Sequence, residues 1–362
     1  MANKTARLGD LATYINGYAF KPADWGETGL PIIRIQDLTG NSYQLNRYDG
    51  EYPERIEVND GDVLISWSAS LGVYVWQRGK ALLNQHIFRV VFDKLPVNKD
   101  YFVFAVEHKL AEMESKTHGA TMKHIVKKDF DGTTIPYPPI EKQAEIADHL
   151  RRITSLIDRQ TEQLLLLDQL VKSRFIELFG DIVLNPFGWE KDYLGVVCDV
   201  RDGTHDSPHY HSTGFPLVTS KNVTGGEIDL TDCSLISEAD FNKINERSKV
   251  DMGDIIMPMI GTVGKPVIVN VKPNFAIKNV SLIKFKDDSR VLNTFIRSLL
   301  QSDYFDDAVL SKVRGGTQKF ISLGDIRKLV VIVPPMELQE QFAAFVEQTD
   351  KSKLCGKMEV AA

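Results

Sequence analysis

The sequence predicts an α+β fold built twice, two similar domains in pseudo-two-fold relation separated by long antiparallel coiled-coil helices. Three observations carry that expectation: an internal repeat, a sustained heptad at mid-chain, and short β-branched runs alternating with helical pieces. At 362 residues the chain exceeds the size at which one hydrophobic core stops growing, so two globular bodies plus a connecting helix are expected.

The first body is expected over residues 1–139. Within it Leu30 to Ile35, Asp62 to Ser66 and Ile87 to Phe92 read as strands, and Tyr101 to Glu114 reads as a helix. Pro138 and Pro139 then open the most regular stretch of the chain, residues 140–180. Leu150, Ile153, Ile157, Gln160, Leu164, Leu167, Val171, Arg174 and Leu178 recur at alternating steps of three and four, the spacing of a coiled-coil seam. No Pro or Gly interrupts it before Gly180, so at ~1.5 Å per residue the helix is roughly 60 Å long. The second body is expected over 181–335, with strands at Pro216 to Thr219, Asp254 to Met257, Val280 to Phe285 and Leu329 to Val333, and a helical piece from Leu292 to Ala308. A second helix over 336–356 offers Phe342 and Val346 to the seam; it is expected to stop near Lys353 and to run out at Cys355-Gly356.

The repeat is legible residue by residue. Gly119-Ala-Thr-Met-Lys123 aligns with Gly315-Gly-Thr-Gln-Lys319, and the register holds without a gap through Asp129 and Asp325 to Pro138-Pro139 and Pro334-Pro335, Glu141 and Glu337, Gln143 and Gln339. Upstream, Leu8-Gly9 matches Leu194-Gly195, Gly29-x-Pro31 matches Gly214-x-Pro216, Thr39-Gly40 matches Thr224-Gly225, Gly61-Asp62 matches Gly253-Asp254, and Gly72 matches Gly264. Each half is thus a domain of about 140 residues followed by a Pro-Pro turn and a helix.

Composition narrows the class. Hydrophobic residues make up 43% and charged residues 25%, the balance of a globular protein. The formal charge of −6 requires that any phosphate-binding face be local, or be completed by partner subunits. Cys198, Cys233 and Cys355 are odd in number and far apart, which suits a reducing cytoplasm better than a disulfide framework. No run of about 18 or more apolar residues occurs and the opening residues lack an apolar export segment, so no membrane partner is expected.

Catalytic signatures are sparse. There is no GxxxxGK[ST] loop, no strand-linked GxGxxG and no [DNS]PP[YFW] methyltransferase motif. His205, His209 and His211 lie close in sequence with Asp206, which keeps a metal-dependent hydrolase or nuclease as an alternative, although no HExxH or CxxC accompanies them. A coiled-coil scaffold that binds no DNA is a third reading. The same polar loop can instead present Thr204, His205, Ser207, His209 and Tyr210 to base edges or phosphates. Comparable clusters are Arg34, Gln36 and Asp37, matched by Lys221 and Asn222; Ser66, Ser68 and Ser70; and Gln85 with His86. The repeated Gly-x-Thr-x-Lys turns add Thr121 and Lys123 in one half, and Arg314, Thr317, Gln318 and Lys319 in the other.

Taken in this order and in duplicate, these motifs resemble those of the specificity (S) subunit of Type I restriction-modification systems. The carrying features are the Leu-Gly openings, Asp202-Gly-Thr-His205 with Ser207-Pro208, the Gly-Asp turns, the Gly-x-Thr-x-Lys segments, Pro-Pro-x-x-x-Gln before each helix, and Val171-Lys-Ser-Arg-Phe-Ile-Glu-Leu-Phe-Gly-Asp181. The resemblance covers nearly the whole chain. It implies two target-recognition domains, each reading half of a split double-stranded DNA site, with the helices acting as a ruler. It also implies a non-catalytic role beside two methyltransferase subunits and restriction subunits, the partners holding S-adenosylmethionine, ATP and Mg while this chain holds no cofactor. The short second helix departs from the family pattern.

Overall fold

The computed structural model describes residues 4–41, 46–116, 127–260, 264–309 and 320–361. The chain divides into two compact units, Met1–Ile157 and Asp158–Ala362.

In the first unit an antiparallel sheet runs in the order Thr13–Asn16, Ile87–Val91, Val63–Ser66, Gly72–Val75. A mixed sheet accompanies it, ordered Arg47–Tyr48, Leu30–Ile33, Ala81–Leu83, Glu57–Val58, with Leu30–Ile33 and Ala81–Leu83 parallel. Val63–Ser66 is buried along its whole length, which is why it reads as an unbroken apolar run rather than an alternation. One core packs Tyr14, Val63, Ile65 and Phe88 on Phe102, Val106 and Leu110 of the helix Lys99–Lys116; another gathers Phe20, Ile32, Ile33 and Trp76 at the mixed sheet. Thr5–Arg7 pairs with Thr134–Pro136 and brings the two ends of the unit together.

The second unit repeats this wiring. Its antiparallel sheet runs Asp199–Asp202, Val280–Lys284, Ile255–Pro258, Val267–Ile268, and its mixed sheet runs Ser234–Ile236, Phe215–Val218, Ala276–Ile277. Phe215–Val218 and Ala276–Ile277 are parallel, as Leu30–Ile33 and Ala81–Leu83 are in the first unit, and the end strands Glu190–Tyr193 and Val330–Val333 are joined. One difference is large. Where the first unit has the single turn Glu54–Ile56, the second has an eleven-residue helix, Glu238–Ser248, capped by Ser237 Oγ accepting from the Asp240 N–H.

Each repeated motif has a structural duty. Leu8 and Leu194 are buried, and their N–H groups donate to the carbonyls of Thr133 and Leu329 at the same 2.8 Å. The following glycine lets the chain press close: a Cβ on Gly9 would lie 3.1 Å from Asp131 Cβ, and one on Gly195 3.0 Å from Arg327 Cβ. Gly61 and Gly253 adopt φ of 89° and 86°, and the aspartate after each accepts from the N–H three residues back, Asn59 and Asp251. The glutamines of Pro-Pro-x-x-x-Gln are fully buried clamps. Gln143 accepts from the Asn98 N–H and donates to the Pro138 carbonyl; Gln339 accepts from the Leu292 N–H and donates to the carbonyls of Arg290 and Pro334.

The central helix spans Ile140–Phe179, as the heptad predicts. In the second unit it pairs with the distal helix Met336–Ala361. Phe175 and Phe179 pack edge-to-face with Phe342, Arg174 lies over the Phe345 ring, Lys353 meets Asp168 at 2.7 Å, and Gly356 faces Gln160. As numbering rises on one helix it falls on the other, so the pair is antiparallel. Leu164, Leu167, Val171 and Leu178 are half-buried along this seam, and Phe342 and Val346 are buried.

Two expectations are corrected here. The distal helix does not stop near Lys353: it continues through Gly356 to Ala361, because an interior glycine costs a helix only about 1 kcal/mol. Seam burial is also partial. Leu150 is half-buried, whereas Ile153 and Ile157, which belong to the first unit, are 53% and 43% exposed. The polar residues of the distal helix fit their places, since Thr349 Oγ1 returns to the Phe345 carbonyl and Lys353 bridges Asp168 and Asp350. The expected helical stretch from Leu292 to Ala308 is two helices, Asn293–Leu300 and Asp303–Ala308, divided at Gln301-Ser302.

Candidate functional site

In each unit the first strand of the antiparallel sheet runs out against the parallel pair of the mixed sheet, and the crossing is framed by the same four backbone hydrogen bonds. In the first unit Gly17 N–H donates to Ile87 O (3.2 Å), Tyr18 N–H to Leu83 O (2.8 Å), Gln85 N–H to Tyr18 O (2.9 Å) and Asn84 N–H to Ile33 O (3.2 Å). In the second, Gly203 N–H donates to Val280 O (2.9 Å), Thr204 N–H to Ile277 O (3.0 Å), Asn279 N–H to Thr204 O (3.2 Å) and Lys278 N–H to Val218 O (2.9 Å). Both glycines are required sterically. A Cβ on Gly17 would sit on the Asn84 carbonyl, and one on Gly203 on the Ile277 carbonyl. The residue closing the crossing is left-handed in both: His86 at φ 72° and Asn279 at φ 56°.

On this shared frame the side chains differ. Tyr18 occupies the place of Thr204, Arg34 that of Thr219, Gln36 that of Lys221, and Asn84 that of Lys278. In the first unit Tyr18 and Trp25 are 45% and 43% exposed, and the Arg34 guanidinium lies 5.7 Å from the Trp25 ring with its Nε 3.4 Å from Asp37. In the second, His205 is held at 2.9 Å on each ring nitrogen, by Asp202 Oδ2 and Asn279 Oδ1, while Arg247 engages the other Asp202 oxygen. Lys278 Nζ donates to Ser207 Oγ at 2.7 Å. A hollow of about 290 Å³ lies against these groups, lined by Gly203, Thr204, Ser207 and by Lys243 and Arg247 of the helix Glu238–Ser248.

The sequence-predicted residues divide between surface and interior. Gln36, Ser70, Gln85, His205, Ser207, His209, Tyr210 and Lys221 are exposed, and Arg34, Ser68, His86 and Thr204 are half-buried. Asp37, Ser66 and Asn222 are buried, which corrects the expectation that they face a ligand. Their polar atoms serve the fold: Asp37 and Asn222 cap the turns at Arg34 and Thr219, accepting from those N–H groups at 2.8 and 3.0 Å, and Ser66 Oγ donates to the Ser70 carbonyl. Thr121, Lys123, Arg314, Thr317, Gln318 and Lys319 lie outside the described residues. The histidine cluster builds no metal centre. His205 is committed to Asp202 and Asn279, His211 N–H donates to Leu235 O, and among the described residues no three His, Cys, Asp or Glu groups converge to hold an ion. Among those residues, too, no helix is long and apolar enough to cross a membrane.

Two groups were missed by sequence reasoning. Tyr18 and Trp25 lie in a stretch without a repeated motif, and the signal that finds Tyr18 is structural: Asn16-Gly17-Tyr18 occupies the place of Asp202-Gly203-Thr204. The helix carrying Lys243 and Arg247 announces itself only by Ser237-x-x-Asp240, a capping signal.

Comparison with known proteins agrees over the whole length. Residues 2–167 and 186–356 both match the sequence model of the Type I restriction modification DNA specificity domain. The chain is 24% identical over 371 residues to the Type I restriction enzyme EcoBI specificity subunit of Escherichia coli, covering 94% of this chain and 78% of that one. It is 24% identical over 372 residues to the MjaVIII specificity subunit of Methanocaldococcus jannaschii, covering 96% and 86%. Among solved structures, the S subunit of a Type I restriction-modification system from M. genitalium superposes with a TM-score of 0.59 at 15% identity, over 99% of this chain and 92% of that chain. A chain from work on complex assembly and conformational transition of the type I R-M system gives 0.54 at 18% identity, with the same coverage.

Proposed function

Because the chain belongs to the family of Type I restriction modification DNA specificity proteins and carries the domain twice, we propose that it reads a two-part site on double-stranded DNA, one part per unit. The observation that carries this is the sheet crossing. One backbone frame recurs with different side chains, as two heads that read different sequences require. The antiparallel helices set the gap between the parts and dock two methyltransferase subunits. Those partners supply S-adenosylmethionine and methylate adenine; restriction subunits, with ATP and Mg, join the same assembly. This chain contributes recognition and no bond-making step.

Exchange of residues 1–137 for those of another specificity protein tests the division. Sequencing of methylated adenines in cells carrying the hybrid with its methyltransferase is expected to show a change in one part of the site only. Lengthening the helix Ile140–Phe179 is expected to change the gap and leave both parts as they were. A hybrid that altered both parts, or neither, would overturn the proposal.

A further inference from the structure

The residue that follows the pinched glycine stands out in each unit, because everything about it except its side chain is fixed. The N–H and C=O of Tyr18 are both consumed by the frame, through Leu83 and Gln85, and those of Thr204 through Ile277 and Asn279. The preceding glycine admits no Cβ, so the chain has one path through the crossing. The next residue must then project from a rigid backbone at the open edge of two sheets, the placement a reading group needs. Tyr18 is 45% exposed at this place and so is open to a ligand.

The surroundings differ in chemistry but not in kind. Behind Tyr18 is Phe20, ring to ring at 5.0 Å, which fixes the tyrosine direction. Beside Thr204 is His205, clamped by Asp202 and Asn279, with Lys243 and Arg247 across the hollow. An aromatic ring with a hydroxyl suits the edge of a base and the methyl of thymine; the Thr204 hydroxyl suits a donor or acceptor edge, while His205, engaged at both ring nitrogens, holds the loop and Lys243 is placed for a phosphate.

We infer that Tyr18 in the first unit and Thr204 in the second are the base-reading residues of their heads, each presented by its pinched glycine. The inference rests on the DNA-recognition reading above and adds the position within each head that decides a base. Neither Tyr18 nor the shared role of this position is evident from the repeated motifs.

The test is sequencing of methylated adenines in cells carrying the chain with its own methyltransferase, for the unaltered protein and for Tyr18→Ala and Thr204→Ala. Tyr18→Ala is expected to lower discrimination at one base position of one part by roughly 5- to 100-fold, the scale of a single direct contact, with the other part read as before. Thr204→Ala is expected to do the same in the other part. The untouched part reports that the variant is folded. Should Tyr18→Ala abolish methylation altogether, Tyr18→His and Tyr18→Leu, which keep a side chain against Phe20 but change the reading surface, decide: a change confined to one part for either supports the assignment and an unchanged site for both overturns it. An unaltered chain that yields no two-part site overturns the recognition reading and this inference together. A normal site that survives both alanine variants, or changes in both parts for either one, overturns this inference alone.

Discussion

The two units share a wiring diagram and differ in how firmly it is held. In the second, Phe175 and Phe179 of the central helix join Phe295 and Phe342 in one aromatic cluster, with ring centroids 4.8 to 5.6 Å apart. In the first, the helix enters on Gln143 and Ala147, a polar clamp and a methyl group. The Gly-Asp turns show the same contrast. Lys284 Nζ lies 2.6 Å from a buried Asp254, whereas Arg89 stands 4.0 Å from a half-buried Asp62. A repeated topology therefore does not imply repeated energetics: identical backbone turns can rest on a desolvated ion pair or on a loose one.

The largest effect expected to break this comparison is Phe342→Ala, which empties the centre of the aromatic cluster and should cost about 3–5 kcal/mol. Urea unfolding combined with hydrogen exchange should place the loss in the second unit; equal loss of protection around Gln143 would refute the contrast. Next is Lys284→Met, which strands the buried Asp254 carboxylate and should cost about 3 kcal/mol, against about 1 kcal/mol or less for Arg89→Met at the looser pair.

The Lys284 effect carries a pH signature. Burial pushes the Asp254 carboxyl above its usual range, against the pull of the hydrogen bond from Lys284. A carboxyl whose folded value is raised favours the fold below its unfolded value and loses that contribution as pH rises through the folded one. The Lys284→Met defect should therefore be greatest at neutral pH and shrink on acidification, because a protonated Asp254 needs no ammonium. Asp251, which the hydrogen bond from Lys284 holds below the usual range, works the other way, its share being lost as pH falls. Its share of the Lys284→Met defect therefore also shrinks toward acid, and a defect that grew on acidification would refute the ion-pair account. A smaller effect is expected from the clamps. Gln339→Ala removes three hydrogen bonds and Gln143→Ala two, so losses of about 1–3 kcal/mol with Gln339 the larger should appear in melting curves. Smallest is Lys353→Met, whose partner Asp168 is well exposed; a change beyond about 1 kcal/mol would mean that the seam depends on charge.

Much of the architecture was legible because repeats and periods are written in residue types. The heptad located the central helix, and apolar runs such as Val63–Ser66 and Ile255–Pro258 located the sheet centres, since buried strands must be apolar whatever their partners. The crossing was only partly legible. Its frame consists of backbone hydrogen bonds, which leave little trace in side chains beyond a glycine, so Asn16-Gly17-Tyr18 could not be matched to Asp202-Gly203-Thr204 without coordinates. Asp37 and Asn222 misled for a related reason: short polar side chains before a Thr-Gly turn serve capping and contact equally well, and only burial separates the two. Gly356 read as a terminator because glycine often ends helices, whereas the small cost of one interior glycine is borne here and the helix runs on to Ala361.

The frame at each crossing has a consequence for how such proteins change over generations. Its four bonds run between main-chain atoms and take no notice of the residue displayed on them. Substitution at the displayed positions therefore leaves the supporting structure intact, and drift there is little restrained by the demands of folding. The vocabulary of each head can be rewritten one letter at a time, while the glycine that makes the display possible is the letter that cannot move.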